Sequence, residues 1–143
     1  MNIYSVIHIT TKNNIDTIIQ DGYLYPSDSG VGLGKGVFCI ILKKKDDWKK
    51  IPLIFLFGSV IIELDKNILN ERNDFIIREE FNEGNLGSSF GGPIVYNGDR
   101  NNLDKVIKNL TTLNEVIFKN KISLKKYLSK VNIINQKDIQ KLV

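Results

Sequence analysis

The chain has 143 residues, of which 42% are hydrophobic and 25% are charged, and its formal net charge is +4. This length fits one domain with one core, and the hydrophobic fraction excludes a chain that is disordered throughout. The single cysteine excludes an internal disulfide framework, and the single histidine excludes zinc motifs built on two histidines. We therefore expect one small folded domain over residues 1–143, without a metal site.

The composition is also skewed toward residues that have AT-rich codons. The chain has no alanine, and its 20 basic residues are 17 lysines and three arginines, Arg72, Arg78 and Arg100. An AT-rich genome, from a phage, a virus or a bacterium, explains this bias more simply than a requirement of the protein does. The positive charge, which could otherwise indicate nucleic-acid binding, then follows largely from codon usage.

No segment resembles a targeting signal or a membrane span. The first residues lack a basic region followed by an apolar one. The longest apolar runs, 51–57 and 60–64, are far shorter than the roughly 20 residues that a membrane helix needs. We expect a soluble cytoplasmic protein with no membrane association and a reduced Cys39.

Strand and helix signals alternate irregularly along the chain. Residues 4–9 predict a first strand, and Ile15, Ile18 and Ile19 predict a helix that ends at Gly22 and could be capped by Thr10 or Thr11. Residues 27–36 and 82–92 are rich in glycine and polar residues and predict loops. Further strands are predicted at 37–42, 53–57, 60–64, 75–77, 93–96, 115–118 and 131–134. Further helical segments are predicted at 43–50, 68–69, 103–110, 124–128 and 136–143.

Two caps and the fold class follow from this order. Asn101 or Asn102 is expected to cap the helix at 103–110, and Ser123 the helix at 124–128. The strands are not each followed by a crossover helix, so the order favours an α+β fold with a mostly antiparallel sheet.

His8, the single histidine, lies at the end of the first predicted strand. An imidazole at a strand end that faces a cleft can donate a hydrogen bond to a ribose hydroxyl or accept one from it. The alternative is a histidine that a local hydrogen bond satisfies and that has no role in binding.

Glycine occupies every second position from Gly30 to Gly36. This spacing differs from that of the dinucleotide-binding fingerprint, and Lys35 is not followed by the serine or threonine of a phosphate-binding P-loop. The run is either a mobile loop or a backbone that approaches a ligand closely or closes over it.

Glu115 heads an otherwise apolar predicted strand. A carboxylate at a strand edge beside a cleft can hold a ribose hydroxyl and stabilise an oxocarbenium-like centre, as glycosyl transfer requires. The alternative is a surface glutamate at the start of a strand. Glu79, Glu80 and Glu83 lie in polar stretches that are typical of a solvated face.

Three segments in this order resemble the ADP-ribosyltransferase superfamily. Residues 8–10, His-Ile-Thr, with the helix that follows, are similar to the opening of that family, and residues 36–38, Gly-Val-Phe, resemble its next strand. Residues 115–118, Glu-Val-Ile-Phe, resemble the late strand that carries the family's catalytic glutamate. The resemblance covers residues 4–42 and 103–128 and leaves the middle of the chain unmatched.

The resemblance implies a single ADP-ribosyltransferase-like domain of the histidine-led branch, with a split β core that holds NAD in a cleft. It implies two catalytic residues, His8 and Glu115. His8 would contact a ribose of NAD, and Glu115 would bind the nicotinamide ribose and stabilise positive charge as the glycosidic bond breaks. A nucleophile on a macromolecular acceptor would then attack the ribose.

The resemblance also implies further residues that bind NAD. Thr10 would support the same strand end as His8, and Gly36 and Phe38 would form part of the nicotinamide pocket. Tyr25 or Phe38 would stack on the nicotinamide ring. Leu113 stands where family members that modify arginine have Glu or Gln, which argues against arginine as the acceptor.

Three functions compete. The first is an NAD-dependent ADP-ribosyltransferase that modifies a host protein or nucleic acid, as a phage, viral or bacterial effector or anti-defence protein. The second is a catalytically inactive module of the same fold that binds a nucleotide or inhibits a protein partner. The third is a basic nucleic-acid-binding domain without enzymatic activity.

Overall fold

The structure is a computed structural model, and it describes residues 2–28, 34–51, 59–78, 93–110 and 113–134. Within these ranges the protein is a small mixed α+β domain, and every strand pairing is antiparallel. The fold class predicted from the order of elements is therefore confirmed. None of the described helices is both long enough and apolar enough to cross a membrane.

The described elements are short strands joined by shorter helices. The strands are β1 (Ser5–Thr11), β2 (Tyr23–Leu24), β3 (Ser27–Asp28), β4 (Lys35–Leu42), β5 (Ser59–Leu64), β6 (Phe75–Arg78), β7 (Ile94–Tyr96), β8 (Leu113–Phe118), β9 (Ile122–Ser123) and β10 (Leu128–Ile133). The α-helices are α1 (Lys12–Asp21), α2 (Ile68–Glu71), α3 (Leu103–Lys108) and α4 (Leu124–Tyr127). Two 3-10 helices lie at Lys45–Lys50 and Arg100–Asn102.

One large sheet dominates the described structure. Its strands follow the order β10-β5-β1-β4-β8-β6-β7, and β3 adds to β4. β2 and β9 form a separate two-stranded sheet. This order places the first strand of the chain and β8, which carries Glu115, on the two sides of the central strand β4.

The large sheet splits between β1 and β4. β1 pairs with β5 along six residues but with β4 along only three, and the last of these pairs is Ile7↔Ile40. The first two residues of β4, Lys35 and Gly36, pair with β3. A gap therefore opens beside the second half of β1, between one part of the sheet and the other.

The two faces of the sheet carry separate apolar clusters, because successive side chains of a strand point to opposite faces. The larger cluster includes Val6 and Ile41, and Ile15, Ile18 and Val106 of α1 and α3 pack against it. The second cluster is packed by Ile9 and by Trp48 of the first 3-10 helix. Its buried members are Ile7, Ile40, Leu42, Ile51, Ile61, Leu113 and Ile134.

The first helix ends where the sequence predicts. Gly22 follows α1 with φ of 87°, and its N–H donates to the Ile18 carbonyl at 2.8 Å. This left-handed conformation is the one that glycine adopts without strain. The predicted start is only partly right, since Thr11 precedes the helix but makes no side-chain capping hydrogen bond.

Of the two other predicted helix caps, one is present and one is absent. Ser123 caps α4 as predicted, because its Oγ accepts from the Lys126 N–H at 3.3 Å. Asn102 makes no side-chain cap at α3. The cap is instead formed one turn earlier by Asp99, whose side chain accepts from the Asn101 N–H at 3.1 Å. The prediction missed the 3-10 turn that precedes the helix.

The predicted loop at 27–36 is wrong at both ends. Ser27 pairs with Gly36 and Asp28 pairs with Lys35, so β3 and the start of β4 form a hairpin whose ladder satisfies backbone groups. The glycine run at 30–33, the strand predicted at 53–57, the loop at 82–92 and the tail at 136–143 lie outside the described residues.

Candidate active site

Glu115 is the third residue of a central strand, so the prediction that it heads its strand is wrong. β8 begins two residues earlier, at Leu113, and runs between β4 and β6. The Cα partners of Glu115 are Ile40 on β4 and Arg78 on β6. The side chain of Glu115 is 19% exposed. The start of β8 was misplaced because Asn114 is a polar residue that is buried in the sheet.

Glu115 lines a pocket of about 270 Å³ beside the split in the sheet. Because cross-strand partners share a face, Ile7, Ile40 and Glu115 form one row across three strands. The other lining residues are mostly apolar: Ile7, Ile9, Phe38, Cys39, Ile40 and Ile51. The described part of this pocket therefore combines one carboxyl group with apolar and aromatic walls.

Arg78 forms a buried ion pair with Glu115. The Nη1 of Arg78 donates to Oε1 of Glu115 at 3.1 Å, and the Arg78 side chain is 6% exposed. No sequence motif identified this residue as part of the site, because only the register of β6 against β8 brings it beside Glu115. An arginine that ends the apolar strand Phe-Ile-Ile could have indicated a buried cation in need of a carboxylate partner.

Burial sets the acidity of Glu115. Removal from water raises the pKa of its carboxyl above the usual value, and the charge and hydrogen bond of Arg78 lower that pKa only in part. Perturbed carboxyl groups in clefts are concentrated at functional sites. Glu115 is therefore a weaker acid than an exposed glutamate, although it has a cationic partner.

The His8 side chain bonds to β4 just beyond the point where the backbone ladder between β1 and β4 ends. Continuing the register beyond Ile7↔Ile40 would pair Ile9 with Phe38. Instead, the Nδ1 of His8 lies 2.8 Å from the Phe38 carbonyl oxygen. A carbonyl only accepts, so Nδ1 carries the proton and Nε2 is the acceptor nitrogen of the neutral ring. His8 therefore has a local hydrogen bond, which was one of the two alternatives for this residue.

The surroundings of His8 favour the neutral form of its ring. Burial lowers its pKa below the usual value, and the hydrogen bond to the Phe38 carbonyl raises it by less. The neutral ring with Nδ1–H presents Nε2 as a hydrogen-bond acceptor.

His8 and Glu115 flank β4 from opposite sides. His8 reaches β4 from β1, whereas Glu115 pairs with β4 from β8. Strand alternation directs His8 away from the face of Ile7 and Ile9, and the described pocket that Glu115 lines does not include His8. The structure brings the two residues to one stretch of β4, and their shared contact with one NAD molecule stays a prediction.

Three other residues predicted to bind NAD lie in different parts of the structure. Phe38 lines the Glu115 pocket. Thr10 lies beyond His8 on β1 and pairs with Val60 of β5. Tyr25 lies between β2 and β3, is 56% exposed, and is not among the residues that line the described pocket.

Gly36 has a packing reason to lack a side chain. A Cβ at this position would overlap Cγ2 of Ile117 and crowd the Phe118 carbonyl oxygen, both on β8. The close approach of Gly36 is therefore to the neighbouring strand. Its predicted contact with NAD stays a prediction.

Among the described residues, no group of three or more His, Cys, Asp or Glu side chains is arranged to hold a metal ion. The chain matches no family model, no curated protein and no solved structure. The interpretation of the site therefore rests on its residues and their geometry.

Proposed function

We propose that the protein is an NAD-dependent ADP-ribosyltransferase that modifies a host macromolecule, with Glu115 as its catalytic carboxylate. One observation carries the proposal: a largely buried glutamate lines an apolar pocket where the sheet splits. NAD would supply the ADP-ribosyl group, which is joined to nicotinamide by a glycosidic bond. The resemblance of residues 4–42 and 103–128 to the family supports the choice of this reaction.

The chemistry of the pocket fits the nicotinamide end of NAD. Phe38 and Ile40 offer aromatic and apolar surface to a flat ring. Glu115 offers carboxylate oxygens to ribose hydroxyl groups. A carboxylate has about four acceptor sites on its two oxygens. The bond from Arg78 uses one of them, so acceptor capacity remains for a ribose hydroxyl.

Two side chains would act on bound NAD. The charge of Glu115 would face the positive charge that develops at the nicotinamide ribose, an interaction worth several kcal/mol in a dry site. The Nε2 of His8 would accept a hydrogen bond from a hydroxyl of the adenosine or nicotinamide ribose at the split. The two contacts would together orient NAD toward the acceptor.

The second candidate function is a catalytically inactive module that binds a nucleotide in the same pocket. The Arg78–Glu115 ion pair favours it, because the guanidinium offsets the negative charge that glycosyl transfer would use. The placement of His8 and Glu115 on the two sides of β4 also favours the inactive module.

Incubation with NAD labelled in its adenylate half and a bacterial lysate tests the proposal. We expect release of nicotinamide and transfer of the label to a macromolecule, which protease and nuclease digestion would identify as protein or nucleic acid. Glu115→Gln should abolish transfer while the protein stays folded. Glu63→Gln is the matched control, because Glu63 lies on β5 of the same sheet and outside the Glu115 pocket.

The two candidates give different results. A thermal shift with NAD but no nicotinamide release would support the binding module and overturn the enzyme. Neither shift nor release would overturn the enzyme and also a module that binds NAD. Binding of nucleic acid that collapses between low and moderate salt would instead support a basic nucleic-acid-binding domain.

A further inference from the structure

The Arg78–Glu115 pair joins two neighbouring strands inside the sheet. The two residues lie opposite each other in the β6–β8 register, and Nη1 and Oε1 are 3.1 Å apart. Replacing a buried ion pair by apolar residues is often neutral or even stabilising, because desolvation of two charges offsets their attraction. Stability alone is therefore a weak reason for an ion pair at this position.

The two members of the pair have different surroundings. Glu115 lines the pocket at the split, whereas Arg78 is absent from the described lining and is more deeply buried, at 6% exposed against 19%. The guanidinium approaches from β6, on the side of β8 that faces away from β4. Among the described residues, the contact that links Arg78 to this pocket is the carboxylate of Glu115.

We propose that Arg78 is a positioning residue that orients the Glu115 carboxylate and keeps it ionised inside the apolar pocket. The inference rests on the proposed function, since it assigns that ionised carboxylate to the ribose of the substrate. A charge-assisted hydrogen bond is about twice as strong as a neutral one, which suits this role. The site would then be active only above the pH at which Glu115 loses its proton.

Among the described residues, the other titratable groups beside Glu115 are Cys39 and His8, and both have pKa values shifted toward the neutral form. On β4, burial and, to a smaller extent, Glu115 itself raise the pKa of the Cys39 thiol. On β1, burial favours the neutral form of the His8 ring. Among the described residues, Arg78 on β6 is therefore the charged group that controls the ionisation of Glu115.

Loss of Arg78 should raise the pKa of Glu115 further. Burial already raises the pKa of Glu115 in the presence of the guanidinium. Without Arg78 the same burial acts unopposed, so protonation would extend to higher pH. A protonated Glu115 would not supply the negative charge that the reaction needs.

The test compares NAD consumption from pH 5 to pH 9 in the wild type and in three variants. Arg78→Met removes the charge and the donor, Arg78→Gln keeps a donor without the charge, and Arg78→Lys keeps the charge. We expect the Met and Gln variants to lose about tenfold more activity at pH 6 than at pH 9, with recovery in the Lys variant. Arg100→Lys is the control, because Arg100 lies outside the pocket.

A second measurement does not depend on activity. Carbon-13 NMR of the glutamate side-chain carboxyls, with the Glu115 signal assigned by its absence in Glu115→Gln, follows the titration of Glu115 directly. We expect a higher titration midpoint in Arg78→Met and Arg78→Gln than in the wild type and in Arg78→Lys. If Arg78→Met fails to fold, Arg78→Gln decides the same comparison.

The outcomes separate the two proposals. A wild type that consumes no NAD overturns the proposed function, while the NMR titration still decides whether Arg78 controls Glu115. Equal loss of activity at every pH, or an unchanged titration midpoint in the Met and Gln variants, would show that Arg78 has only a structural role.

Discussion

An arginine–carboxylate pair lies at each end of β6, and the two pairs differ in almost every physical respect. Before the strand, Asp74 accepts from the Nε of Arg72 at 2.7 Å and from the backbone N–H of Asn120 at 2.9 Å. At the end of the strand, Glu115 accepts from Arg78 at 3.1 Å. The first pair is held by several hydrogen bonds, and the second borders a pocket.

The acidity of the two carboxyls shifts in opposite directions. Burial raises the pKa of Asp74, but the hydrogen bonds and charge of Arg72 and the Asn120 N–H outweigh burial, so that its pKa is lowered overall. Burial outweighs Arg78 at Glu115, and that pKa is raised. The sign of each pKa shift therefore depends on how the hydrogen bonds and the arginine charge compare with the loss of hydration.

The two pairs also serve different parts of the molecule. Arg72 donates to the carbonyl oxygens of Asn120 and Lys121, both at 3.0 Å, and lies 5.3 Å from the ring centroid of Phe118. It therefore ties the start of β6 to the turn that follows β8. Arg78 instead contacts the side chain that lines the pocket, so the first pair connects parts of the chain and the second borders the pocket.

The largest effect is expected from Arg72→Met. The change leaves the Asp74 carboxylate and two carbonyl oxygens without their arginine donor, so the free energy of unfolding should fall by about 3 kcal/mol. Urea denaturation followed by circular dichroism measures it. A loss below about 1 kcal/mol would mean that the turn is held by other contacts and that the contrast between the two pairs is overstated.

The next effect is the acid sensitivity of the first pair. Because the pKa of Asp74 is lowered in the folded protein, its contribution to stability is present above the unfolded pKa and is lost as the pH falls through the folded value. Asp74→Asn should therefore flatten the fall in stability between pH 6 and pH 3. Equal slopes in thermal unfolding of the variant and the wild type would contradict the assignment.

Glu115→Gln leaves the buried Arg78 guanidinium with a neutral acceptor in place of its carboxylate, so the free energy of unfolding should fall by about 2 kcal/mol, less than after Arg72→Met. Glu115 and Asp74 make the free energy of unfolding depend on pH in opposite directions. The raised folded pKa makes the wild type lose stability as the pH rises through that value. The variant should not show this loss when unfolding is measured from pH 4 to pH 8.

The smallest effect sets the baseline for an exposed pair. Lys49 lies 3.8 Å from Asp46, and the two side chains are 49% and 73% exposed. Lys49→Ala should change the free energy of unfolding by about 0.5 kcal/mol or less. A change as large as that from Arg72→Met would remove the basis for treating the two buried pairs as special.

Local features were predictable because short-range chemistry determines them. The α1 helix follows from three isoleucines at helical spacing and a glycine that can adopt positive φ, and the Ser123 cap follows from an adjacent hydroxyl. Phe38 and Glu115 were both predicted as site residues, and both line one pocket. The register of β4 against β8 brings Phe38 and Glu115 together. The apolar sequences of these two strands did not predict that register.

What the sequence alone determined is the fold class, the position of the first helix and two candidate site residues, Phe38 and Glu115, that line one pocket. Tertiary structure decided the rest. The register of β6 against β8 placed Arg78 beside Glu115 across 37 residues of chain. The split between β1 and β4 turned His8 toward the Phe38 carbonyl. Pairing of distant strands and the loss of water around charges are properties of the assembled sheet, and no local spacing encodes them.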